Sequence, residues 1–104
     1  MSSKNVKAVN VTPRAKTDLR DIWLYGTETW GEDQADKYFY TLFEAMEGLA
    51  LEPGKGRARP ELLPQCSSYI CGNHIIYYRE RSDAVEILGV LHQRMDAFSQ
   101  LTKL

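Results

Sequence analysis

A chain of 104 residues suits one domain around one core. Hydrophobic residues at 43% and charged residues at 26% are those of an ordinary globular protein, while a formal net charge of −1 argues against broad, sequence-independent binding to nucleic acid, which needs clustered Lys and Arg. Residues 1–5 are polar with no apolar run behind them, so neither a secretory leader nor a membrane span is expected.

Val6 to Val11 carries β-branched residues and stops before Thr12-Pro13. A short strand is expected there, then a helix with Thr12 as its N-cap and Pro13 at its first position. Ala15, Leu19, Ile22, Trp23, Gly26 and Trp30 recur at helical spacing on one face, and Gly31 stops the helix. A second helix is expected over about 32–51, with a stripe of Ala35, Tyr38, Phe39, Leu42, Met46, Leu49 and Ala50, closed by Glu52-Pro53-Gly54. The connection at Gly31 is short enough only for an antiparallel helical hairpin. Leu24, Tyr25, Tyr40, Phe43 and Leu51 fall off the two stripes. They either widen the core face or form a second surface for a partner.

Gly54 to Pro60 is a basic, glycine-rich loop. Three strands follow, at Ser67–Cys71, His74–Arg79 and Ala84–His92, separated by turns at Gly72-Asn73 and Ser82-Asp83. Alternation in the last puts Val85, Ile87 and Leu91 on one side and Glu86, Leu88, Val90 and His92 on the other. Both sides are mostly apolar, as in a central strand covered on both faces. The tail from Gln93 to Leu104 is expected to add a helical turn around Met95 and Phe98. The result is a single α+β domain over 1–104: β-α-α-β-β-β, a helical hairpin on a small, mostly antiparallel sheet, with a short C-terminal helix.

Cys66 and Cys71 are five positions apart, which in a strand means opposite faces and no intrachain disulfide. Reduced thiols and a cytoplasmic location are expected. With His74 and His92 the cysteines do not make zinc-ligand spacing, so neither metal nor cofactor is expected. A ribonuclease would need cations to stabilise charge developing on phosphate, and groups to move protons. Arg57, Arg59, Tyr78, Arg79, His92 and Arg94 could supply these if the strand ends carrying them line one end of the sheet. Against that, tyrosines in strands more often pack, and the arginines have Glu86 and Asp96 to pair with. Ser67, Ser68, Ser82 and Ser99 lack a nucleophile elbow, and Gly54 to Arg57 lacks phosphate-loop spacing. Asp18 and Asp21 read as surface ion pairs with Arg14 and Arg20.

In order along the chain stand Thr12-Pro13-Arg14-Ala15 with Asp18-Leu19 and Ile22-Trp23, then Trp30-Gly31 with Gln34-Ala35. Leu49-Ala50 before Pro53, Gly56-Arg57, and Gly72-Asn73-His74 with Tyr77-Tyr78-Arg79 come next. Val90-Leu91-His92-Gln93-Arg94-Met95-Asp96 closes the series. In these pieces the chain resembles the ParE branch of the RelE/ParE toxin superfamily over about residues 6–100. The resemblance implies a RelE-like fold and the role of toxin in a type II toxin–antitoxin system. It implies neutralisation by a ParD-like antitoxin in a hetero-oligomer, and action on DNA gyrase by binding, with no covalent chemistry and no direct sequence-specific contact to nucleic acid. The antitoxin interface is expected on the hairpin at Trp23, Leu24, Tyr25, Trp30, Tyr40 and Phe43. The target surface is expected at Arg57, Arg59, Arg79, His92, Arg94 and Met95. Two alternatives stand beside this: a ribosome-dependent mRNA endoribonuclease using Arg57, Tyr78, Arg79, His92 and Arg94, or an inactive relative that only binds its antitoxin. Relatives often carry glycine and arginine where this chain has Gln65 and Ser67, and arginine where it has Gly89. The working face is thereby short of two cations, which points to weakened toxicity or a different patch.

Overall fold

The computed structural model describes residues 7–102, so the expected strand start at Val6 and the last two residues of the tail lie outside the described residues. Strand β1 (Ala8–Val11) passes directly into helix α1 (Pro13–Trp30) through Thr12. The Thr12 hydroxyl oxygen accepts from the Ala15 N–H at 3.2 Å, as an N-cap should, and the hydroxyl donates to the Ile87 carbonyl at 2.8 Å. One side chain thus starts the helix and fixes it to the sheet. Gly31 ends α1 and opens helix α2 (Glu32–Leu51) at φ 96°, a conformation that a residue with a Cβ adopts only under strain. The two helices form the expected antiparallel hairpin.

After a single 3₁₀ turn at Pro53–Lys55 the chain forms β2 (Arg57–Ala58), β3 (Cys66–Cys71), β4 (His74–Glu80), β5 (Ala84–His92) and a short helix α3 (Ala97–Leu101). The sheet order is β1-β5-β4-β3-β2, with β1 parallel to β5 and the other neighbours antiparallel. The basic loop therefore contains a strand that sequence reasoning left out. Arg57 and Ala58 pair with Ser68 and Ser67, and two residues carry no periodicity from which to infer it.

The hairpin covers one face of the sheet. Leu42, Met46 and Leu49 are fully buried there against Ile76, Tyr78, Val85, Ile87 and Val90. Burial of each large aliphatic side chain contributes about 1.5–3 kcal/mol, so this layer holds the domain together. On the opposite face Leu62, Cys66, Tyr77 and Leu91 form a smaller cluster, with Ala97 and Leu101 of α3 packed on it. β5 is thus central and covered on both sides. The two free cysteines lie in different clusters, as their odd spacing requires, and burial raises both thiols above their ordinary pKa.

The expected alternation along β5 fails beyond Ile87. Val90, not Leu91, joins Val85 and Ile87 beneath the helices, and Leu91 lies on the other face. The cause is a bulge. Tyr77 pairs with Gly89 and Tyr78 with Ile87, leaving Leu88 without a partner in β4. β1 pairs β5 only as far as Val11 opposite Ile87, so beyond that point β5 has an open side. Asp18 closes it by accepting from the Val90 N–H at 2.9 Å. Arg14 donates to Asp18 at 2.9 Å and to the Gln100 carbonyl at 2.8 Å, which binds α3 into the same network. Asp18 keeps only 12% of its side-chain exposure, so this is an interior brace and not the surface pair its spacing suggested. Among the described residues, no helix is long and apolar enough to cross a membrane.

Candidate functional site

Two concavities flank α1, lined by residues 16, 19, 20 and 23 on one side and by 18, 21, 22 and 25 on the other, sets that the helical period separates. The first is a groove of about 520 Å³ between α1 and α2. Leu19, Trp23, Phe39, Tyr40 and Phe43 make its apolar wall, and Val11 of β1 lies at one end. Helical periodicity explains the set: residues 16, 19, 20 and 23 share one side of α1, and 36, 39, 40 and 43 share one side of α2. Phe39 and Phe43 stack edge to face at 4.9 Å, and Trp23 Nε1–H donates to Asp36 Oδ1 at 2.8 Å. That bond occupies the groove's one carboxylate. Lys16 and Arg20 have no ion-pair partner among the described residues, so the groove has an apolar floor and a positive rim. Beside it β1 is an edge strand, bonded on one side only.

The second concavity, of about 440 Å³, lies between α1, Tyr38 of α2, the β3–β4 turn and the end of β5. Tyr25, Trp30, Tyr38, His74 and His92 bring rings to its walls, and Asp18 and Asp21 bring carboxylates. His74 pairs directly across the ladder from His92, so both side chains leave the sheet on the same face, with ring centroids 5.4 Å apart. The Tyr38 hydroxyl accepts from the Asn73 N–H at 3.1 Å and lies 2.6 Å from His74 Nδ1. Burial, and secondarily the neighbouring His92, push the His74 imidazole down to about 4, so the ring is neutral near pH 7. His92 Nδ1 accepts from the Arg94 N–H at 3.1 Å.

The six residues expected at the antitoxin interface do not line one pocket. Trp23, Tyr40 and Phe43 line the first groove, Tyr25 and Trp30 line the second cavity, and Leu24 lines neither. Trp30 was expected on the apolar face of α1. It is 55% exposed at the last helical position, stacked edge to face on Tyr25 at 5.9 Å.

The cations and proton-transfer candidates are dispersed too. Consecutive antiparallel strands end at opposite ends of a sheet, so Tyr78 and Arg79 lie far along β4 from the His74–His92 pair, and the expected common end does not exist. Tyr78 is 1% exposed, and its hydroxyl donates to the Pro53 carbonyl at 2.6 Å while accepting from the Gly56 N–H at 3.0 Å. Burial raises its pKa further. Arg79 and Arg81 share Glu86, at 3.2 and 3.4 Å, and Arg59 pairs with Glu61 at 2.7 Å. Arg57 is exposed on β2, at the far edge of the sheet from β1. By register, Arg57, Tyr77 and Arg79 lie on the face away from the hairpin, while His92 and Met95 line the second cavity, so the expected target set is divided between two faces. Arg94 is exposed in the turn after β5. Among the described residues no three His, Cys, Asp or Glu side chains gather as a metal site.

Sequence reasoning missed Lys16, Arg20, Phe39 and Asp36 of the groove, and Asp21, Tyr38, Asn73 and His74 of the second cavity. A helical projection of the hairpin would have found the first four. Of the last four, only the position of His74 opposite His92 depends on the bulge; Asp21, Tyr38 and Asn73 are gathered by the packing of the hairpin on the sheet.

Residues 9–97 match the family model described as ParE toxin of type II toxin-antitoxin system, parDE. The chain is 38% identical over 96 residues to Toxin ParE1 of Caulobacter vibrioides, covering 92% of this chain and 99% of that one. It is 36% identical over 87 residues to Toxin ParE1 of Mycobacterium tuberculosis, covering 83% and 89%. Among solved structures it is similar to a chain of the chromosomal ParDE toxin–antitoxin system from P. aeruginosa, with a TM-score of 0.73 at 19% identity over 86% of this chain and 98% of that chain. It is also similar to a chain of the toxin–antitoxin complex RelBE2 of M. tuberculosis, with a TM-score of 0.67 at 21% identity, covering 91% and 100%. At those identities the two structures speak for the fold.

Proposed function

The chain belongs to the ParE toxin family of type II toxin–antitoxin systems, and from that premise we propose that a ParD-like antitoxin neutralises it by covering the α1–α2 groove, and that the free toxin inhibits DNA gyrase by binding it. The observation that carries the antitoxin half is the groove itself. An apolar floor of Trp23, Phe39, Tyr40 and Phe43 under a rim of Lys16 and Arg20 suits an amphipathic segment with acidic flanks. The free edge of β1 alongside could take an added strand from the same partner. The binding mode of action is supported by what the nuclease candidates are doing instead. Tyr78 is committed to the main chain of residues 53–56, Arg79 to Glu86, and His92 stands at the other end of β4 from both. The toxin would meet its target through the exposed or partly exposed cations Arg57, Arg59, Arg79 and Arg94, with His92 and Met95 contributing from the second cavity.

The test pairs two reactions. Purified chain is added to a gyrase supercoiling assay and to a cell-free translation assay, each with and without the antitoxin. Inhibition of supercoiling alone, relieved by antitoxin, is expected. Cleaved mRNA in the translation arm would sink the reading in favour of the nuclease, and inertness in both would leave an antitoxin-binding protein without toxicity.

A further inference from the structure

The second cavity lies apart from the antitoxin groove, and its walls combine aromatic rings with an unpaired carboxylate. Tyr25, Trp30, Tyr38, His74 and His92 contribute rings, and Asp21 has no ion-pair partner among the described residues. The geometry points to a docking site for a cationic side chain, an arginine presented by a protein partner. Ring faces carry negative potential and attract a cation, most strongly for tryptophan. Arginine fits better than lysine, since its flat guanidinium can stack on a ring while its fork still reaches a carboxylate.

The inner rings are positioned before any partner arrives: Tyr38 is fixed by Asn73 and His74, and His74 rests on His92 at 5.4 Å. At the mouth the exposed Tyr25 and Trp30 stand edge to face at 5.9 Å. Binding has less left to order in the inner wall than at the mouth. A neutral His74 puts no positive charge of its own against the guest. The other carboxylate, Asp18, is already held by Arg14 and the Val90 N–H, so Asp21 alone sets the charge preference at the rim. That sign repels a phosphate backbone and an acidic peptide, and it is opposite to the sign at the antitoxin groove. The two sides of α1 are thus charged for different partners. The inference does not depend on which protein supplies the arginine.

The test titrates the full-length chain with N-acetylarginine amide and with N-acetylcitrulline amide, which has a similar shape without the charge. Tryptophan fluorescence and the NMR signals of the His74 and His92 rings report binding. Saturable shifts with the arginine compound are expected, at least about fivefold weaker with citrulline. Asp21→Asn and Trp30→Ala, both at exposed positions, should each weaken binding about three- to tenfold while the circular dichroism spectrum is retained. Equal responses to the two compounds, no saturation, shifts confined to Tyr40 and Phe43, or a stronger response to N-acetylglutamate amide would each overturn the assignment. If Trp30→Ala does not fold, Asp21→Asn alone decides.

Discussion

The carboxylate of Asp18, on the second turn of α1, accepts a hydrogen bond of 2.9 Å from the main-chain N–H of Val90. β1 has already left the sheet at that level, so a side chain takes the place of a neighbouring strand's carbonyl. Asp18→Ala should leave a buried N–H without a partner and free Arg14 from its anchor, at a cost of about 2–3 kcal/mol. Asp18→Asn keeps an acceptor oxygen and should cost about 1 kcal/mol. Urea unfolding measures both. A loss below about 0.5 kcal/mol for the alanine variant would mean that water replaces the carboxylate.

Acid should loosen the fold through His74. The folded protein holds this imidazole at about 4, below the ordinary 6.5, so the native state binds the proton less readily than the unfolded chain. The stability it protects is complete above about pH 6.5 and is lost as the pH falls from there toward 4. The full difference corresponds to about 3 kcal/mol, and water reaching the partly exposed ring reduces it to about 1–2 kcal/mol. Unfolding free energies at pH 7 and pH 4.5 should differ by that amount more in the native protein than in His74→Gln. Parallel pH slopes for the two proteins would refute the assignment.

Tyr78 anchors the loop that carries Arg57. Tyr78→Phe removes the hydroxyl that donates to the Pro53 carbonyl and accepts from the Gly56 N–H, which should cost about 1–3 kcal/mol and raise amide exchange at Gly56. Gly56→Ala should do comparable harm by a different route. A Cβ there would collide with the Tyr78 hydroxyl and stand 2.7 Å from the Ser68 carbonyl, and neither can retreat within the sheet. Hydrogen exchange and thermal melts check both variants.

The antitoxin groove makes a contrast between two exposed apolar residues. Tyr40 lines it and Leu24 does not, although both stand free of the core. Tyr40→Ala should weaken antitoxin binding about tenfold or more, and Leu24→Ala by less than about threefold. Both should melt within a few degrees of the native chain, since surface truncations change stability little. Calorimetric titration with the purified antitoxin decides. Equal losses at the two positions would move the interface away from the groove.

The hairpin was legible because its periodicity is strong and its punctuation clear: Thr12-Pro13 starts it, Gly31 folds it, and Glu52-Pro53-Gly54 ends it. The strand limits of β4 and β5 were equally plain, being β-branched runs between turn residues. The sidedness of β5 beyond Ile87 was not legible. Counting back from the turn at residues 81–83 pairs Arg79 with Glu86, which the sequence alone could have supplied, but the same count sets His74 opposite Leu91. The bulge puts His74 opposite His92 instead. The one local hint is Gly89, an isolated glycine within a strand run; the contacts that fix it there, with Leu101 and Asp18, come from distant elements. The candidate site was legible as a list of residues but not as places. Trp23 and Tyr25 are two positions apart and belong to different concavities, a separation that only the placement of α1 on the sheet creates.

Leu88 is also a spare link in the chain. Gly89 already points to the side that a regular strand would give the residue after Ile87. Excision of Leu88 would therefore turn β5 into a plain ladder while leaving Val90 and His92 above the sheet and Leu91 below it. Length at this one place is decoupled from orientation, so two chains differing here by a single-residue gap could still share the same pair of facing imidazoles.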